Sequence, residues 1–199
     1  VAIPGGSIFC RCLAGDFIKY LSEIPDHFAE QEGGPDAVVV EASGMADPRV
    51  IAKLLHETGM DSSIELRRVV CVVDPKTLHK LLATLPAIRA QIETADLIVV
   101  NREDEFGPEA LQEAVDTVRS INPDATIEPT RFCRLQTDPL APFKRPKGAD
   151  GEMAKCRDPN YATYDIPGGA DLPLDALQNL AESLGDDLLR LKGSAQTDH

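Results

Sequence analysis

A glutamate and a glycine follow a short apolar run in the first quarter of the chain. Residues 37–40 are Ala-Val-Val-Val, Glu41 comes next, and Gly44 lies three positions later. An apolar, β-branched run of this kind predicts a parallel strand that helices cover on both faces. Open α/β sheets place their ligands at the carboxyl ends of such strands. Glu41 could therefore hold Mg²⁺ directly or through water, and Gly44 could let a backbone N–H approach a γ-phosphate, as in a Walker B element.

An ordinary strand-to-helix turn with a solvated Glu41 is the alternative interpretation of this stretch. Ser43 and Gly44 have turn chemistry, Asp47 is a suitable N-cap, and Pro48 suits the first position of a helix. The sequence thus predicts a strand, a sharp turn and a helix from about residue 49 to residue 56. Both interpretations of Glu41 stay open at this level.

A second polar stretch ends another apolar run, at residues 95–100. Asn101-Arg102-Glu103-Asp104 follows that run and resembles the N-K-x-D guanine-recognition box of GTPases, with arginine at the lysine position. The Asp104 carboxylate can accept two hydrogen bonds from guanine, from N1–H and from the exocyclic amine, and adenine offers no such pair. The Asn101 side chain can bond the base and connect neighbouring loops. The Arg102 side chain can lie along the purine face.

Two cysteines near the start of the sequence have a spacing suited to metal binding. Cys10 and Cys12 are one residue apart, so both thiolates can reach one soft divalent ion such as zinc. Two thiolates are too few for a tight site, and further ligands would have to come from a carboxylate, a histidine or water. The alternative is a pair of idle or buried cysteines. Cys71 lies within a predicted strand and is expected to be a small core residue.

These stretches together resemble the CobW-type metal-chaperone GTPases, relatives of the urease and hydrogenase accessory GTPases. Residues 41–48, Glu-Ala-Ser-Gly-Met-Ala-Asp-Pro, are similar to the signature E-(S/T)-(S/T)-G-x-A-(D/E)-P of that family. A V-D strand end, a Q-x(3)-A-D sequence that starts at Gln91, and an R-x-K-G element follow in the family order, within residues 72–74, 91–96 and 189–193. Residues 6–12 align with the metal motif G-C-x-C-C, although Ser7 and Phe9 stand where two cysteines are expected.

The resemblance implies an α/β fold with three layers, of the P-loop GTPase type. Its mainly parallel sheet would lack the first strand and the P-loop, and the start of a small α+β domain would follow. The implied function is GTP-dependent delivery of zinc or cobalt to a client metalloprotein or a cofactor-biosynthesis enzyme. Nucleotide state would change the loop around the cysteine pair and hence its metal affinity.

The resemblance also assigns roles to particular residues. Cys10 and Cys12 would hold the metal cargo. Glu41 would hold Mg²⁺ or its water, and Gly44 would sense the γ-phosphate. The guanine of GTP would be bound by Asn101, Arg102 and Asp104.

The sequence contains no G-x-x-x-x-G-K-(S/T) motif, so the phosphate-binding glycines, the lysine and the magnesium-binding Ser/Thr of a P-loop are missing from it. A family member truncated before Val1 is the simplest interpretation, and this chain by itself is then expected not to turn over GTP. Two alternatives stay open. One is a pseudo-GTPase that carries metal or acts as a scaffold. The other is an accessory protein of corrinoid or cobalamin metabolism.

Composition limits the classes of partner. The 199 residues carry a formal net charge of −13, which disfavours binding to nucleic acid or to an anionic membrane surface. No apolar run approaches the roughly 20 residues of a membrane span. Neither a signal peptide nor a disulfide framework is predicted, so the five cysteines indicate a cytoplasmic protein with reduced thiols. The oligomeric state, including a homodimer, is left open.

Residues 138–160 are rich in Pro, Lys and Gly and have no hydrophobic period, which indicates a linker. The resemblance implies a partial GTPase-type domain before it, at residues 1–137, and a partial C-terminal domain of the family after it, at residues 161–199. Further helices are predicted at about residues 15–28, 77–82, 88–94, 109–121 and 174–184. Strands are predicted at residues 37–40, 66–73, 95–100, 125–127, 161–166 and 188–191. Residues 130–134 follow the fourth strand, where GTPases often place a loop that touches the base, but they carry no readable motif.

Overall fold

The computed structural model describes residues 14–28, 35–141 and 173–184. The chain divides into two compact units, residues 1–160 and residues 161–199. The predicted strands at residues 161–166 and 188–191 lie outside the described residues, as does the cysteine pair Cys10 and Cys12. In the part of the chain that is described, no helix is long and apolar enough to cross a membrane.

The first unit contains a sheet of three parallel strands. β1 is Val70–Val73, β2 is Leu97–Val100 and β3 is Thr126–Pro129, with β2 in the middle. Helices connect the strands, which is the usual connection between neighbours that run in the same direction. The architecture is α/β with an open parallel sheet, consistent with the expected P-loop GTPase type.

The helices agree with the sequence predictions to within two residues at each end. α1 is Ala14–His27, α2 is Val50–Glu57, α3 is Leu78–Thr84, α4 is Pro86–Thr94, α5 is Pro108–Ile121 and α6 is Leu174–Leu184. A short 3-10 turn, Met60–Ser62, follows α2. Helices α3 and α4 connect β1 to β2, and α5 connects β2 to β3. Proline begins both α4 and α5, where its missing N–H costs no hydrogen bond.

Burial distinguishes the central strand from the edge strand. All four side chains of β2 are buried, which is typical of a parallel strand with both faces covered. In β1, Cys71 and Val73 are buried, whereas Val70 and Val72 are 40% and 60% exposed. The buried face of both strands packs in one core with α5, through residues that include Val115 and Val118. Helices α1 and α2 form a second core of their own.

The predicted buried strand at residues 37–40 is wrong. These residues belong to no strand, and Val39 is 83% exposed. The apolar residue types indicated burial, but a strand forms only where a neighbouring segment offers backbone hydrogen-bonding partners. Within the described residues β1 pairs with β2 alone, and the valine run has no ladder partner. Glu41 therefore follows an exposed, unpaired segment and not a strand.

The strand predicted at residues 66–73 begins later than expected, at Val70. The reason is that the N–H of the residue before Val70 has a side chain as its hydrogen-bonding partner, and not the backbone of a neighbouring strand. The N–H of Val69 donates to the carboxylate of Asp96 at 2.7 Å, and Asp96 is itself buried, with 3% of its surface exposed. The ladder between β1 and β2 therefore starts only after this contact.

Candidate functional site

The strand register brings three polar segments to one edge of the sheet. Val73, Val100 and Pro129 are aligned, so Asp74, Asn101 and Thr130 directly follow the three strand ends. The Asn101 N–H donates to the Val73 carbonyl at 2.9 Å, and the Thr130 N–H donates to the Val100 carbonyl at 2.8 Å. The predicted guanine box therefore lies at the carboxyl edge of a parallel sheet, where α/β proteins bind ligands. We call residues 74, 101–106 and 130–134 the sheet-edge site.

Asn101 connects the box to the loop that follows β3. Its Oδ1 accepts hydrogen bonds from the Thr130 hydroxyl at 3.1 Å and from the Cys133 N–H at 2.9 Å. A third link runs from the Glu103 N–H to the Thr130 carbonyl at 2.9 Å. Because the amide oxygen already accepts two hydrogen bonds, the NH₂ group is the part of Asn101 left to donate to a ligand.

Arg102 is held by two carboxylates and an aromatic ring. Its guanidinium donates to Asp74 at 2.7 Å and to Glu105, and it lies 5.2 Å from the centroid of Phe106. The hydrogen bond with Glu105 is the main reason that the pKa of Arg102 is raised and the pKa of Glu105 is lowered. The sequence indicated a polar residue at position 74 but gave no sign that it pairs with Arg102. This pair connects the ends of β1 and β2.

Asp104 is exposed in the turn between β2 and α5. Its two acidic neighbours are engaged, because Glu103 lies 4.0 Å from Arg131 and Glu105 binds Arg102. Within the described ranges the Asp104 carboxylate makes no hydrogen bond or ion pair. An ionised carboxylate with free acceptor sites can form charge-assisted hydrogen bonds with a ligand that offers two donors.

The loop after β3 has an uncommon backbone conformation at two consecutive residues. Phe132 and Cys133 have φ angles of 55° and 50°, which lie in the left-handed region that non-glycine residues rarely adopt. The Phe132 ring is 73% exposed. The far end of the loop is held by Glu128, whose carboxylate accepts the N–H of Gln136 and of Thr137. These hydrogen bonds, chiefly the one from Gln136, hold the pKa of Glu128 below its usual value.

Gly44, the residue predicted to approach a γ-phosphate, lies in a separate turn. The Ala46 N–H donates to the Ser43 carbonyl at 2.8 Å, which closes a turn around Gly44. Glu41 and Gly44 are exposed, and a Cβ at Gly44 would meet no atom within 4 Å. Open space therefore lies beside the glycine. We call residues 43–46 the Gly44 turn.

The N-cap predicted at Asp47 is wrong by two residues, because Arg49 is the N-cap of α2 and no side chain caps it. The Asp47 Oδ1 instead accepts the Arg49 N–H at 3.0 Å, two residues ahead, as in an Asx turn. The Asp47 Oδ2 also pairs with the Arg49 guanidinium at 2.7 Å. Helix α2 begins immediately afterwards, at Val50.

Gln91 connects the Gly44 turn to α4. Its Nε2 donates to the Gly44 carbonyl at 3.0 Å and to the Ala46 carbonyl at 2.8 Å, across 47 and 45 residues of sequence. The strand that follows α4 is β2, which ends at Val100, immediately before Asn101. The Gly44 turn and the sheet-edge site therefore both contact one continuous helix–strand unit.

Replacing Gln91 by alanine is expected to loosen the Gly44 turn without unfolding the protein. The change removes two hydrogen bonds, each worth about 1 kcal/mol net, so exchange of the Ala46 amide should accelerate roughly 5- to 30-fold. Hydrogen–deuterium exchange measures this. Gln112→Ala is the matched control, because the Gln112 side chain bonds to Asp116 on the exposed face of α5 and to no other residue that the structure describes. Unchanged exchange at Ala46 in Gln91→Ala would contradict the connection.

No metal site is assembled among the described residues, where no group of three or more His, Cys, Asp or Glu side chains gathers. Burial raises the pKa of the Cys71 thiol to about 11, so Cys71 is the inert core residue that the sequence predicted. Cys133 is exposed. Glu41 offers one exposed carboxylate, which suits Mg²⁺, because this ion is usually bound by one or two carboxylates together with phosphates and water.

The chain is similar to a known protein family and to several known proteins. The family model described as "CobW/HypB/UreG, nucleotide-binding domain" matches residues 1–129, which include all three strands of the sheet. No solved structure matches the chain.

Three curated relatives are similar to part of the chain. Zinc chaperone YeiR of Escherichia coli is 34% identical over 111 residues, covering 55% of this chain and 32% of that protein. Zinc-regulated GTPase metalloprotein activator 1 of Schizosaccharomyces pombe is 31% identical over 137 residues, covering 68% and 32%. The protein of the same name from Saccharomyces cerevisiae is 28% identical over 156 residues, covering 68% and 35%. The chain thus spans about a third of the length of each relative.

Proposed function

The chain belongs to the CobW/HypB/UreG nucleotide-binding domain family, and we propose on that basis that it is part of a GTP-dependent zinc metallochaperone. The observation that carries the proposal is the sheet-edge site, where Asn101 connects two loops beside the exposed carboxylate of Asp104. Zinc is preferred over cobalt as the cargo because all three relatives carry zinc in their names. A metalloprotein that receives the zinc is the partner that this function requires.

Guanine is the base that the groups at the sheet-edge site suit best. Asp104 can accept hydrogen bonds from both N1–H and the exocyclic amine of guanine. The NH₂ group of Asn101 can donate to N7 or O6, which are the acceptors on the same base. Arg102 is fixed between Asp74 and Glu105, so in this role it holds the loops in place beside the base.

The phosphate end of the nucleotide is assigned to the Gly44 turn. Glu41, two residues before this turn, would hold Mg²⁺, and the ion would neutralise charge on the phosphates when bound. The open space beside Gly44 would let a phosphate oxygen approach the backbone. Gln91 then transmits the position of this turn to α4. In this way the bound nucleotide can affect the conformation of the rest of the domain.

The metal cargo is assigned to Cys10 and Cys12, two thiols whose spacing allows both to bind one zinc ion. Thiolates and not thiols bind metal, so the affinity should fall as the pH drops below neutral. Cys71 cannot contribute at neutral pH because its buried thiol has a pKa of about 11.

A cobalt(II) titration tests the cargo site. Wild-type protein should develop a sulfur-to-cobalt charge-transfer band that zinc abolishes. The Cys10→Ser/Cys12→Ser variant should show no such band, because each serine removes a thiolate ligand. The matched control is Cys133→Ser/Cys156→Ser, which alters the same number of cysteines and should titrate like wild type. If the control loses the band and the first variant keeps it, the assignment of the metal site is wrong.

A further inference from the structure

We propose that Phe132 is the aromatic surface on which the purine base stacks at the sheet-edge site. This inference rests on the proposed function and adds a residue to it. Asp104 and Asn101 offer groups that recognise the edge of a base, and an aromatic side chain is the usual means of binding its face. Phe132 is the most exposed aromatic side chain described in the structure, at 73%.

Exposure alone would not distinguish Phe132, because single apolar side chains on a protein surface are common. The distinguishing feature is that its exposed position is imposed by the backbone. Phe132 and Cys133 both adopt left-handed φ angles, and such conformations persist only where surrounding contacts enforce them.

The contacts that enforce this conformation come from both sides of Phe132. On one side, the Cys133 N–H donates to Asn101, which belongs to the predicted guanine box. On the other, Thr130 is buried and bonded to the same side chain. Glu128 holds the end of the loop through Gln136 and Thr137. Asn101, a residue of the predicted guanine box, therefore fixes the loop that holds the Phe132 ring in its exposed position.

The other candidates for covering the base face are already engaged. The guanidinium of Arg102 is bound to Asp74 and Glu105 and lies over Phe106. The guanidinium of Arg134 lies 6.0 Å from the centroid of the Phe132 ring. A cation over one face of a ring leaves the other face for a base, and cation–π contact adds to stacking in nucleotide sites.

The absence of tryptophan from the sequence permits a direct test. Phe132→Trp places the only indole of the chain at the proposed stacking surface. Titration with guanosine diphosphate should quench its fluorescence, because a stacked guanine lies in contact with the ring. Calorimetry of the same protein gives the affinity independently, and the two titrations should have the same midpoint.

Leu140→Trp is the matched control. Leu140 is also an exposed apolar residue, at 53%, but its segment lies at the opposite edge of the sheet, where the strands begin. Arg68, two residues before β1 begins, donates to the Asp138 carbonyl at 2.8 Å and so places this segment near the start of β1. The indole at position 140 should respond to guanosine diphosphate only through absorption of light by the nucleotide, which serves as the correction for Phe132→Trp.

Phe132→Ala supplies the energetic test. It should weaken guanosine diphosphate binding about 5- to 150-fold, corresponding to the roughly 1–3 kcal/mol that stacking contributes per base, while circular dichroism stays unchanged.

If calorimetry shows binding but the indole at position 132 responds no more than that at position 140, or if Phe132→Ala binds like wild type, the stacking role is overturned and the proposed function stands. If neither wild type nor Phe132→Trp binds the nucleotide, the base-recognition role of the sheet-edge site is overturned, and the stacking role with it.

Discussion

Replacing Asp104 by asparagine is expected to reverse the base preference of the chain from guanine to xanthine nucleotides. In the proposed site the carboxylate would accept hydrogen bonds from two donors of guanine, whereas an asparagine amide offers one acceptor and one donor. Xanthine has a carbonyl oxygen in place of the exocyclic amine, so it suits the amide. Losing a charged hydrogen-bonding pair should cost roughly 2–3 kcal/mol, or about 30- to 150-fold in affinity for the guanine nucleotide.

Calorimetric titrations with guanosine, xanthosine and adenosine diphosphates measure this preference. Glu103→Gln is the matched control, because it makes the equivalent change one residue away, at an exposed carboxylate whose nearest cation is Arg131 at 4.0 Å. Glu103→Gln should keep the guanine preference. If Asp104→Asn keeps that preference while Glu103→Gln changes it, the box has been assigned to the wrong acid.

The helices were predictable because their signals are local. Apolar side chains recur at helical spacing in α1 and α5, and buried residues such as Phe17, Leu21, Val115 and Val118 occupy those positions. Proline and asparagine mark the ends of α5 in the sequence. The central strand β2 was also predictable, because four consecutive apolar residues suit a strand that is buried on both faces.

Strand pairing was less predictable because it depends on distant residues. The valine run at 38–40 consists of the same kind of apolar residues as β1, Val-Cys-Val-Val, yet it is exposed and unpaired among the described residues. The start of β1 depends on Asp96, whose carboxylate accepts a hydrogen bond from the N–H of Val69, 27 residues earlier in the chain. A residue pattern indicates which secondary structure a segment prefers, but a strand forms only where a hydrogen-bonding partner is available.

At the sheet-edge site, residue types were predictable and their contacts were not. The box at residues 101–104 followed from its motif, and its position at the sheet edge followed from the strand before it. The pair of Asp74 and Arg102, the connection from Gln91 to the Gly44 turn, and the strained backbone at Phe132 each depend on tertiary geometry. The sequence placed residues 130–134 where GTPases often have a loop that touches the base, but a single large apolar residue in such a loop is too common a pattern to single out Phe132.

The largest loss of stability is expected for Asn122→Ala, because this side chain holds α4 and the segment before β3 together. Asn122 is 7% exposed. Its NH₂ group lies 2.8–3.2 Å from the carbonyls of Ile92, Glu93 and Ala95, and its Oδ1 accepts the Ala125 N–H at 3.2 Å. Ile92 and Glu93 belong to the last turn of α4, and Ala95 is its C-cap. The Ile92 carbonyl also accepts the Ala95 N–H at 3.3 Å.

Alanine at position 122 would remove the side-chain partner of the Ile92, Glu93 and Ala95 carbonyls and of the Ala125 N–H, and the contacts to Ile92 and Ala95 are buried. Each unsatisfied buried group costs about 1–3 kcal/mol, so we expect a loss of about 3 kcal/mol in the free energy of unfolding. Urea unfolding followed by circular dichroism measures it. Gln112→Ala, on the exposed face of α5, should change stability by less than about 0.5 kcal/mol. A loss that small for Asn122→Ala would mean that water replaces the amide, and that the end of α4 at Thr94 does not depend on this side chain.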